Sequence, residues 1–458
     1  PACEASGQPR SLAPFSFEER DAPMSMIRKL FRSTVLALGL LAAAPSLAQQ
    51  ATDARFTIAV IPDTQNYVDH TRQRAAGFPF DARDMMTEQF RFIADNAASR
   101  GGDIVFATGV GDVWQHPIID IDPDHAARGF SPRALPSGMG PAKWASGVRE
   151  VEIPASIAAY RLLDGALPFS AVPGNHDYDA QWWEESWPRD LTAPEGDLRR
   201  LGMIHVGGLT EWVRVFGAAS AFFKDRPWYV GSHEGGADSA QVFEAGGYRF
   251  LHIGLQFAPS DASLKWAETV IHAHPGLPTL ISTHDFLDKT GQRRAHPVVD
   301  INALDPFDNS AQGVWDKLIS RNPQIFMVLS GHHNGQAFRS DPNRQGGAVY
   351  QLLSDYQDRN RAAVDAGLDA AKAPGLGDGW LRLMAFDMTG EVPTVRVRTY
   401  STHFKRYASD EPNYARWYKQ NEQPQMTDQE FLAQDEFTIR LDDFRARFGP
   451  GLGAVAQE

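Results

Sequence analysis

The chain has 458 residues, of which 43% are hydrophobic and 22% are charged. This composition is typical of a globular protein and argues against a collagen, a coiled coil or a disordered chain. The formal net charge of −13 argues against a dedicated nucleic-acid-binding protein, which would show a basic footprint.

The N-terminal region predicts an export signal. Three basic residues between positions 26 and 32 precede an apolar run from Val35 to Ala44, and Ser46-Leu47-Ala48 forms a small-residue cleavage site. The alternative, a membrane anchor, is disfavoured because a spanning helix needs about 20 apolar residues. We expect 26–48 to be a cleaved signal peptide and 1–25 to be a leftover extension or the product of a wrongly assigned start. The mature protein is then periplasmic or secreted, without a stable membrane anchor.

The single cysteine of the chain, Cys3, lies before this signal. A mature chain without cysteine has no disulfide, no thiolate ligand and no thiol nucleophile. Any metal site in it must therefore be built from His, Asp, Glu, Asn and Gln side chains.

Beyond the signal, strands, polar loops and helices alternate along the chain. Strands are predicted at 56–61, 103–108, 168–172, 248–255, 279–282 and 325–329, and helices at 90–98, 157–163, 264–272 and 315–320. The alternation predicts an α/β fold with largely parallel central strands. In such a fold, functional groups lie in the loops at the carboxyl ends of the strands.

The remaining segments predict additions to a single domain that spans 49–458. Two stretches, near 118–148 and 178–245, are interpreted as insertions, the second of which carries five tryptophans. A β-rich extension begins at about residue 380, with strands at 381–386 and 395–400 expected to complete a second sheet. The polar segment 410–434 is expected to be a loop, and a last strand is expected at 436–441.

Five of the predicted strand ends carry Asp, Asn or His. In chain order they are Asp63-Thr64-Gln65, Gly111-Asp112, Gly174-Asn175-His176-Asp177, His284 and Gly331-His332-His333-Asn334. A single polar residue at a strand end can simply cap a turn. Five in succession indicate a shared site, and carboxylate, amide and imidazole groups together suit a pair of divalent metal ions.

This series resembles the motifs of the calcineurin-like metallophosphoesterases: Asp-x-His, Gly-Asp-x-x-Asp/Asn, Gly-Asn-His-Asp/Glu, a lone His, and Gly-His-x-His. The resemblance covers roughly residues 56–335. It implies two facing mixed β-sheets flanked by helices, with two divalent metal ions as cofactors. It also implies that a small phosphorylated substrate, a phosphomonoester or phosphodiester, is hydrolysed by a metal-bridging hydroxide.

Carried over residue by residue, the resemblance assigns roles to the strand-end side chains. Asp112 is expected to bridge the two metals and Asp63 to bind the first. His176 is expected to be catalytic, protonating the leaving oxygen. The expected ligands of the second metal are Asn175, His284 and His332.

The chain departs from the family pattern at three positions. Gln65 and Asn334 stand where histidines are expected, so the first metal would have only oxygen ligands: Asp63, Gln65, Asp112 and Asn334. Oxygen ligands suit Mn, Mg or Ca better than Zn, and the identity of the two metals stays open among Mn, Fe, Zn, Mg and Ca. Gln115 stands where a carboxylate orients the catalytic histidine, and His333 is an alternative ligand of the first metal.

Two other functions stay open. The same substitutions are compatible with a metal-stabilised binding protein of this fold that has weakened catalysis. An exported nuclease is disfavoured by the acidic charge. The segment 350–357 follows the last motif closely and is expected at most at the rim of the site.

Overall fold

Two seven-stranded β-sheets form the framework of the protein in the computed structural model, which describes residues 54–117, 120–135, 145–195, 197–294, 299 and 305–451. The predicted extension 1–25, the predicted signal peptide 26–48 and part of the predicted insertion 118–148 lie outside the described residues. The described residues all fall in one unit of the chain, Pro45–Glu458.

The strands of the first sheet come from both ends of the described chain. Three N-terminal strands, β1 to β3, run parallel to one another, and the C-terminal strands add to the sheet in antiparallel fashion at the free side of β1. The sheet order is β15-β14-β13-β1-β2-β3, with β16 paired to β14. The strands are β1 Arg55–Ile61, β2 Ile104–Gly109, β3 Phe169–Ser170, β13 Trp380–Asp387, β14 Thr394–Ser401, β15 Arg406–Tyr407 and β16 Phe437–Arg440.

The second sheet has the order β11-β12-β10-β9-β8-β7-β6. Its four central strands, β8, β9, β10 and β12, are parallel, whereas the outer strands are antiparallel to their neighbours. The strands are β6 Tyr229–His233, β7 Asp238–Ala245, β8 Tyr248–Gly254, β9 Thr279–Ser282, β10 Ile325–Ser330, β11 Gly335–Pro342 and β12 Ala348–Asp355. A separate antiparallel pair is formed by β4 Ala180–Trp183 and β5 Ile204–Gly207.

Helices flank both sheets, which confirms the predicted α/β class with mixed sheets. One π-helical turn, Val148–Glu152, directly precedes the helix Ile153–Tyr160. None of the helices in the described part of the chain has both the length and the apolar composition needed to cross a membrane. The helices are α1 Gln65–Val68, α2 Arg83–Asp95, α3 Pro123–Ala127, α4 Ile153–Tyr160, α5 Thr210–Phe216, α6 Asp261–Ala273, α7 Ala311–Lys317, α8 Arg361–Asp365, α9 Tyr414–Glu422, α10 Asp428–Ala433 and α11 Phe444–Phe448.

The hydrophobic alternation of β1 shows how the layers are packed. Ile58 and Val60 join a core that also contains side chains of the second sheet, whereas Ala59 and Ile61 join a core under α2 and α4. Successive side chains of a strand point to opposite faces, so one strand supplies both layers. Phe106 of β2 stacks on Phe243 of β7, with 4.4 Å between the ring centroids.

Three sequence expectations differ from the structure. The strands near 381–386 and 395–400 extend the first sheet rather than a second one, because β13 pairs with β1. The expected insertion 178–245 ends in β6 and β7, which belong to the second sheet.

The third difference lies in the segment 410–434, which was expected to be a loop and contains α9 and α10. A capping box between Thr427 and Glu430 begins α10. The buried aromatic rings of Tyr414, Tyr418 and Phe431 pack with Trp380. Tertiary packing of a few aromatic rings thus stabilises helices in a segment whose average composition is polar.

Candidate metal centre

The predicted site residues meet where the two sheets come together at the carboxyl ends of their parallel strands. Asp63, Asp112 and Asn175 follow strands of the first sheet, and His284 and His332 follow β9 and β10 of the second. All five side chains are buried. Parallel strands of one sheet end at the same edge, which brings together the residues of each sheet, and the two edges meet at contacts such as that of His284 with Asp112.

The His284 imidazole lies at the centre of one group of ligand atoms. Its Nδ1–H donates to the carbonyl oxygen of Val110 over 2.8 Å, which leaves Nε2 as the atom that faces the site. Nε2 lies 3.1 Å from Asp112 Oδ1, 3.2 Å from Asn175 Oδ1 and 3.2 Å from His332 Nδ1. The ligand atoms of Asp112, His284 and His332 lie within 4.8 Å of one another, a spacing that could hold a metal ion.

A second group of atoms lies on the other side of Asp112 and offers only oxygen. Gln65 Nε2 donates to Asp112 Oδ2 over 3.0 Å, and the backbone N–H of His332 donates to Asp63 Oδ2 over 3.2 Å. Asp63 Oδ1 and Gln65 Oε1 are both buried without a hydrogen-bond partner. A buried acceptor without a donor is costly, and a bound cation would satisfy both oxygens. The donor set therefore fits the oxygen-liganded metal expected from the sequence.

The electrostatics of the centre favour positive charge. Burial alone would lower the pKa of His284, but the carboxylates of Asp112 and Asp63 raise it to about 10. Burial, followed by the nearby charge of Asp355, raises the pKa of Asp63 well above its usual range. A proton and a metal cation are alternative ways to compensate the same buried carboxylates.

Two motif glycines allow the ligands to approach this closely. A Cβ at Gly174 would lie within 3.0 Å of Asp112 Oδ1, and a Cβ at Gly331 would lie within 3.0 Å of Asp63 Oδ1. Cβ atoms essentially never come this close to another heavy atom, so any larger residue would displace a carboxylate. The glycines next to Asn175 and His332 are thus part of the site geometry.

His176 lies beside the centre and reaches the solvent. Its backbone N–H donates to Asp112 Oδ1 over 2.9 Å, and its side chain is 28% exposed. Nδ1–H donates to Gln115 Oε1 over 2.5 Å, so Nε2 is left to face the site, 3.8 Å from Asp112 Oδ2. Gln115 is held in turn by the buried carboxylate of Glu152, which accepts from its backbone N–H over 3.0 Å.

Two of the sequence-predicted residues lie further out. Asn334 Oδ1 accepts a hydrogen bond of 3.2 Å from Gln357 Nε2, and Gln357 also contacts Gln65, so Asn334 is linked to the oxygen group through Gln357. His333 Nε2 lies 3.1 Å from Asp285 Oδ1. The expected ligand roles of Asn334 and His333 stay predictions.

The segment 350–357 was expected at most at the rim of the site, without a role for Asp355 or Gln357, whereas the structure places both residues in the site. Asp355 is the last residue of β12, which runs parallel to β10. The end of β12 therefore lies at the same edge of the sheet as His332, and an Asp at the end of a largely apolar strand was the available signal. Asp177 was quoted only as part of its motif; it accepts from the backbone N–H groups of Val113 and Gly174, 2.8 Å each, and so clamps two ligand loops together.

Comparison with known proteins adds a distant similarity. No protein-family model matches the chain. The chain is similar to YvnB of Bacillus subtilis (strain 168), an uncharacterized protein, with 23% identity over 245 residues. The match covers 52% of this chain and 15% of that protein, so the chain spans less than a sixth of the length of this relative.

Proposed function

We propose that the chain is a metal-dependent phosphoester hydrolase of the calcineurin-like type, with its two sheets forming the sandwich of that superfamily. Two divalent cations would neutralise the charge of the ester and activate water for attack on phosphorus. The observation that carries the proposal is the pair of ligand groups that share Asp112, one with two imidazoles and one with oxygen donors only.

In this proposal, each residue of the site has a separate role. Asp112 offers one carboxylate oxygen to each ligand group, since Oδ1 lies by His284 and Oδ2 lies by Gln65. Asn175, His284 and His332 would hold the second metal, and Asp63 and Gln65 the first. His176 would donate a proton to the leaving oxygen, because its Nε2 faces the site and its Nδ1 is held by Gln115.

A binding protein with weakened catalysis is the second candidate. It is favoured by the amides Gln65 and Asn334 at positions where the family has histidines. A binding protein has no need for a partly exposed imidazole held beside the bridging carboxylate, so the position of His176 favours the hydrolase.

Hydrolysis of chromogenic phosphate monoesters and diesters with added Mn²⁺ tests the proposal. We expect Asp112→Asn to lose bound metal and activity together. We expect His176→Ala to retain its metal and to lose about 10²–10⁴-fold in kcat, the usual contribution of general acid catalysis.

His272→Ala, which removes an exposed histidine, is the matched control and should retain full activity. Metal content is measured by elemental analysis of each variant. Loss of metal in His176→Ala with unchanged activity per bound metal would show that the role assigned to His176 is wrong. Full metal content with no hydrolysis of any ester would favour the binding protein.

A further inference from the structure

A chain of side-chain hydrogen bonds leads from the end of β12 to the oxygen group of the metal centre. Gln357 Nε2 donates to Asp355 Oδ2 over 3.0 Å, and Gln357 Oε1 accepts a short hydrogen bond from Gln65 Nε2. Gln65 Nε2 donates as well to Asp112 Oδ2 over 3.0 Å. Residues from two other strand ends, those of β2 and β12, thus determine the surroundings of the Gln65 amide.

The direction of these hydrogen bonds is fixed by the acceptors around Gln357. The backbone N–H of Gln357 donates to Asp355 Oδ1 over 2.9 Å, and its side-chain Nε2 donates to Asp355 Oδ2 over 3.0 Å and to Asn334 Oδ1 over 3.2 Å. Gln357 must therefore turn its Oε1 towards Gln65. Gln65 must then turn its NH₂ group towards Gln357 and Asp112.

This orientation decides which atom of Gln65 is available to a cation. With Nε2 committed to two acceptors, Oε1 is the atom left buried without a hydrogen-bond partner. The reverse orientation would present an NH₂ group, which cannot bind a metal. Whether Gln65 can act as a ligand therefore depends on a residue 292 positions away in the sequence.

We propose that Asp355 and Gln357 are positioning residues that orient the Gln65 amide with its oxygen towards the first metal. The inference rests on the proposed function. It explains how the first site can bind a metal without imidazole ligands. Outer hydrogen-bond partners of metal ligands contribute about 10–100-fold to metal affinity. Gln357→Ala should weaken Mn²⁺ binding at the first site by about this factor and leave the second site unchanged.

A paired substitution separates orientation from simple packing. In Gln357→Glu the new carboxylate still accepts from Gln65, but its second oxygen faces the carboxylate of Asp355 and repels it. The double variant Asp355→Asn with Gln357→Glu keeps the total charge and lets the new amide donate to the new carboxylate. The double variant should therefore bind Mn²⁺ at the first site within about threefold of the unaltered protein, whereas Gln357→Glu alone should not.

Mn²⁺ titration by calorimetry, with electron paramagnetic resonance to detect coupled metal pairs, measures the two sites separately. Gln351→Ala is the matched control, because Gln351 is a buried glutamine of β12, the strand that precedes Gln357, and its Nε2 donates to Asp341. Unchanged Mn²⁺ affinity in Gln357→Ala, or equal affinity in the single and double variants, would overturn the inference and leave the proposed function standing. No Mn²⁺ binding by the unaltered protein would overturn the proposed function itself.

Discussion

At the scale of single residues, the proposed metal centre depends on glycines, which have no side chain, as much as on its ligand residues. Gly331 has no room for a Cβ because Asp63 Oδ1 occupies that space. We expect Gly331→Ala to displace Asp63 and to lower the affinity for the first metal. The variant should still fold, because Asp63 lies in the loop after β1 and belongs to neither of the hydrophobic clusters that β1 enters.

Gly231→Ala is the control for this variant, since its Cβ would meet neighbouring atoms only at ordinary contact distances, 3.6 Å or more. Calorimetric Mn²⁺ titration of both variants checks the expectation. Unchanged metal binding in Gly331→Ala would contradict the close approach of Asp63.

At the scale of elements, two charged clusters hold peripheral helices in place. Helix α3 is tied to a distant loop by His125, whose Nδ1 lies 2.6 Å from Asp122 and whose Nε2 lies 2.8 Å from Asp305. Burial alone would lower the pKa of His125, but hydrogen bonds to the two carboxylates raise it to about 9. Helix α3 precedes the paired strands β4 and β5 in the chain.

The raised pKa of His125 predicts a pH-dependent contribution to stability. Because the folded-state pKa lies above the ordinary value of 6.5, the contribution is complete below about pH 6.5 and is lost as the pH rises through about 9. We expect His125→Gln to lower the melting temperature more at pH 6 than at pH 10. Thermal unfolding at both pH values checks this, with the exposed His272→Gln as control, and an equal loss at both would contradict the ion pairs.

The second cluster fixes α9 to the sheets. The guanidinium of Arg359 forms two hydrogen bonds to Glu422, of 2.8 and 3.0 Å, and donates also to Gln336 of β11 and to Tyr414. Both charged side chains are nearly inaccessible to solvent. Removing one partner of a buried ion pair leaves the other uncompensated, which costs more than the pair itself contributes.

We therefore expect Glu422→Ala to lower the free energy of unfolding by about 3 kcal/mol. The control is Asp428→Ala, which breaks the ion pair of Asp428 with Lys419. Asp428 is 73% exposed, and exposed pairs contribute less than about 1 kcal/mol. Urea denaturation measures both variants, and equal losses would contradict a buried network at this position.

At the scale of the whole molecule, the proposed centre joins two sheets that also meet through apolar packing and through hydrogen bonds such as that of Thr108 Oγ1 with Ser282 Oγ, over 2.9 Å. The first sheet supplies Asp63, Asp112 and Asn175, and the second supplies His284 and His332. Metal bound by both sheets would stabilise the folded state by an amount set by its concentration relative to Kd, about 2.7 kcal/mol at 100 times Kd. Chelation should accordingly lower the melting temperature.

The two ligand groups should fill at different metal concentrations. The group with two imidazoles, His284 and His332, should bind Zn²⁺ or Fe²⁺ first, and the oxygen group should bind only with excess Mn²⁺, Mg²⁺ or Ca²⁺. Activity should rise with the second, weaker metal-binding event, because a single cation cannot stabilise both the attacking and the leaving oxygen. Replacing Gln65 and Asn334 together by His should tighten the weaker site.

Metal titration followed by calorimetry and by hydrolysis rate checks this prediction. Two equally tight sites in the unaltered protein would contradict the oxygen-only ligand set. Full activity with one metal per chain would contradict the requirement for a pair.

The sequence by itself determined the central strands and the order of the polar residues that follow them. Both are local properties: an apolar run of β-branched residues specifies a strand, and the residue after it specifies what the loop carries. Asp63, Asp112, Asn175 and His284 could be placed in one site because parallel strands end at a common edge. The amides Gln65 and Asn334 could be identified from the sequence as well, because they stand where the family motifs have histidines.

Only the tertiary structure decided which distant segments are neighbours. The strands β13 and β14 join the first sheet, α9 and α10 form against the aromatic ring of Trp380, and Gln357 reaches Gln65 across 292 residues. None of these follows from a local pattern, since each depends on which surfaces pack when the whole chain folds. The orientation of the Gln65 amide is of this kind: its residue type is written in the sequence, but the direction of its oxygen is set by hydrogen bonds from other strand ends.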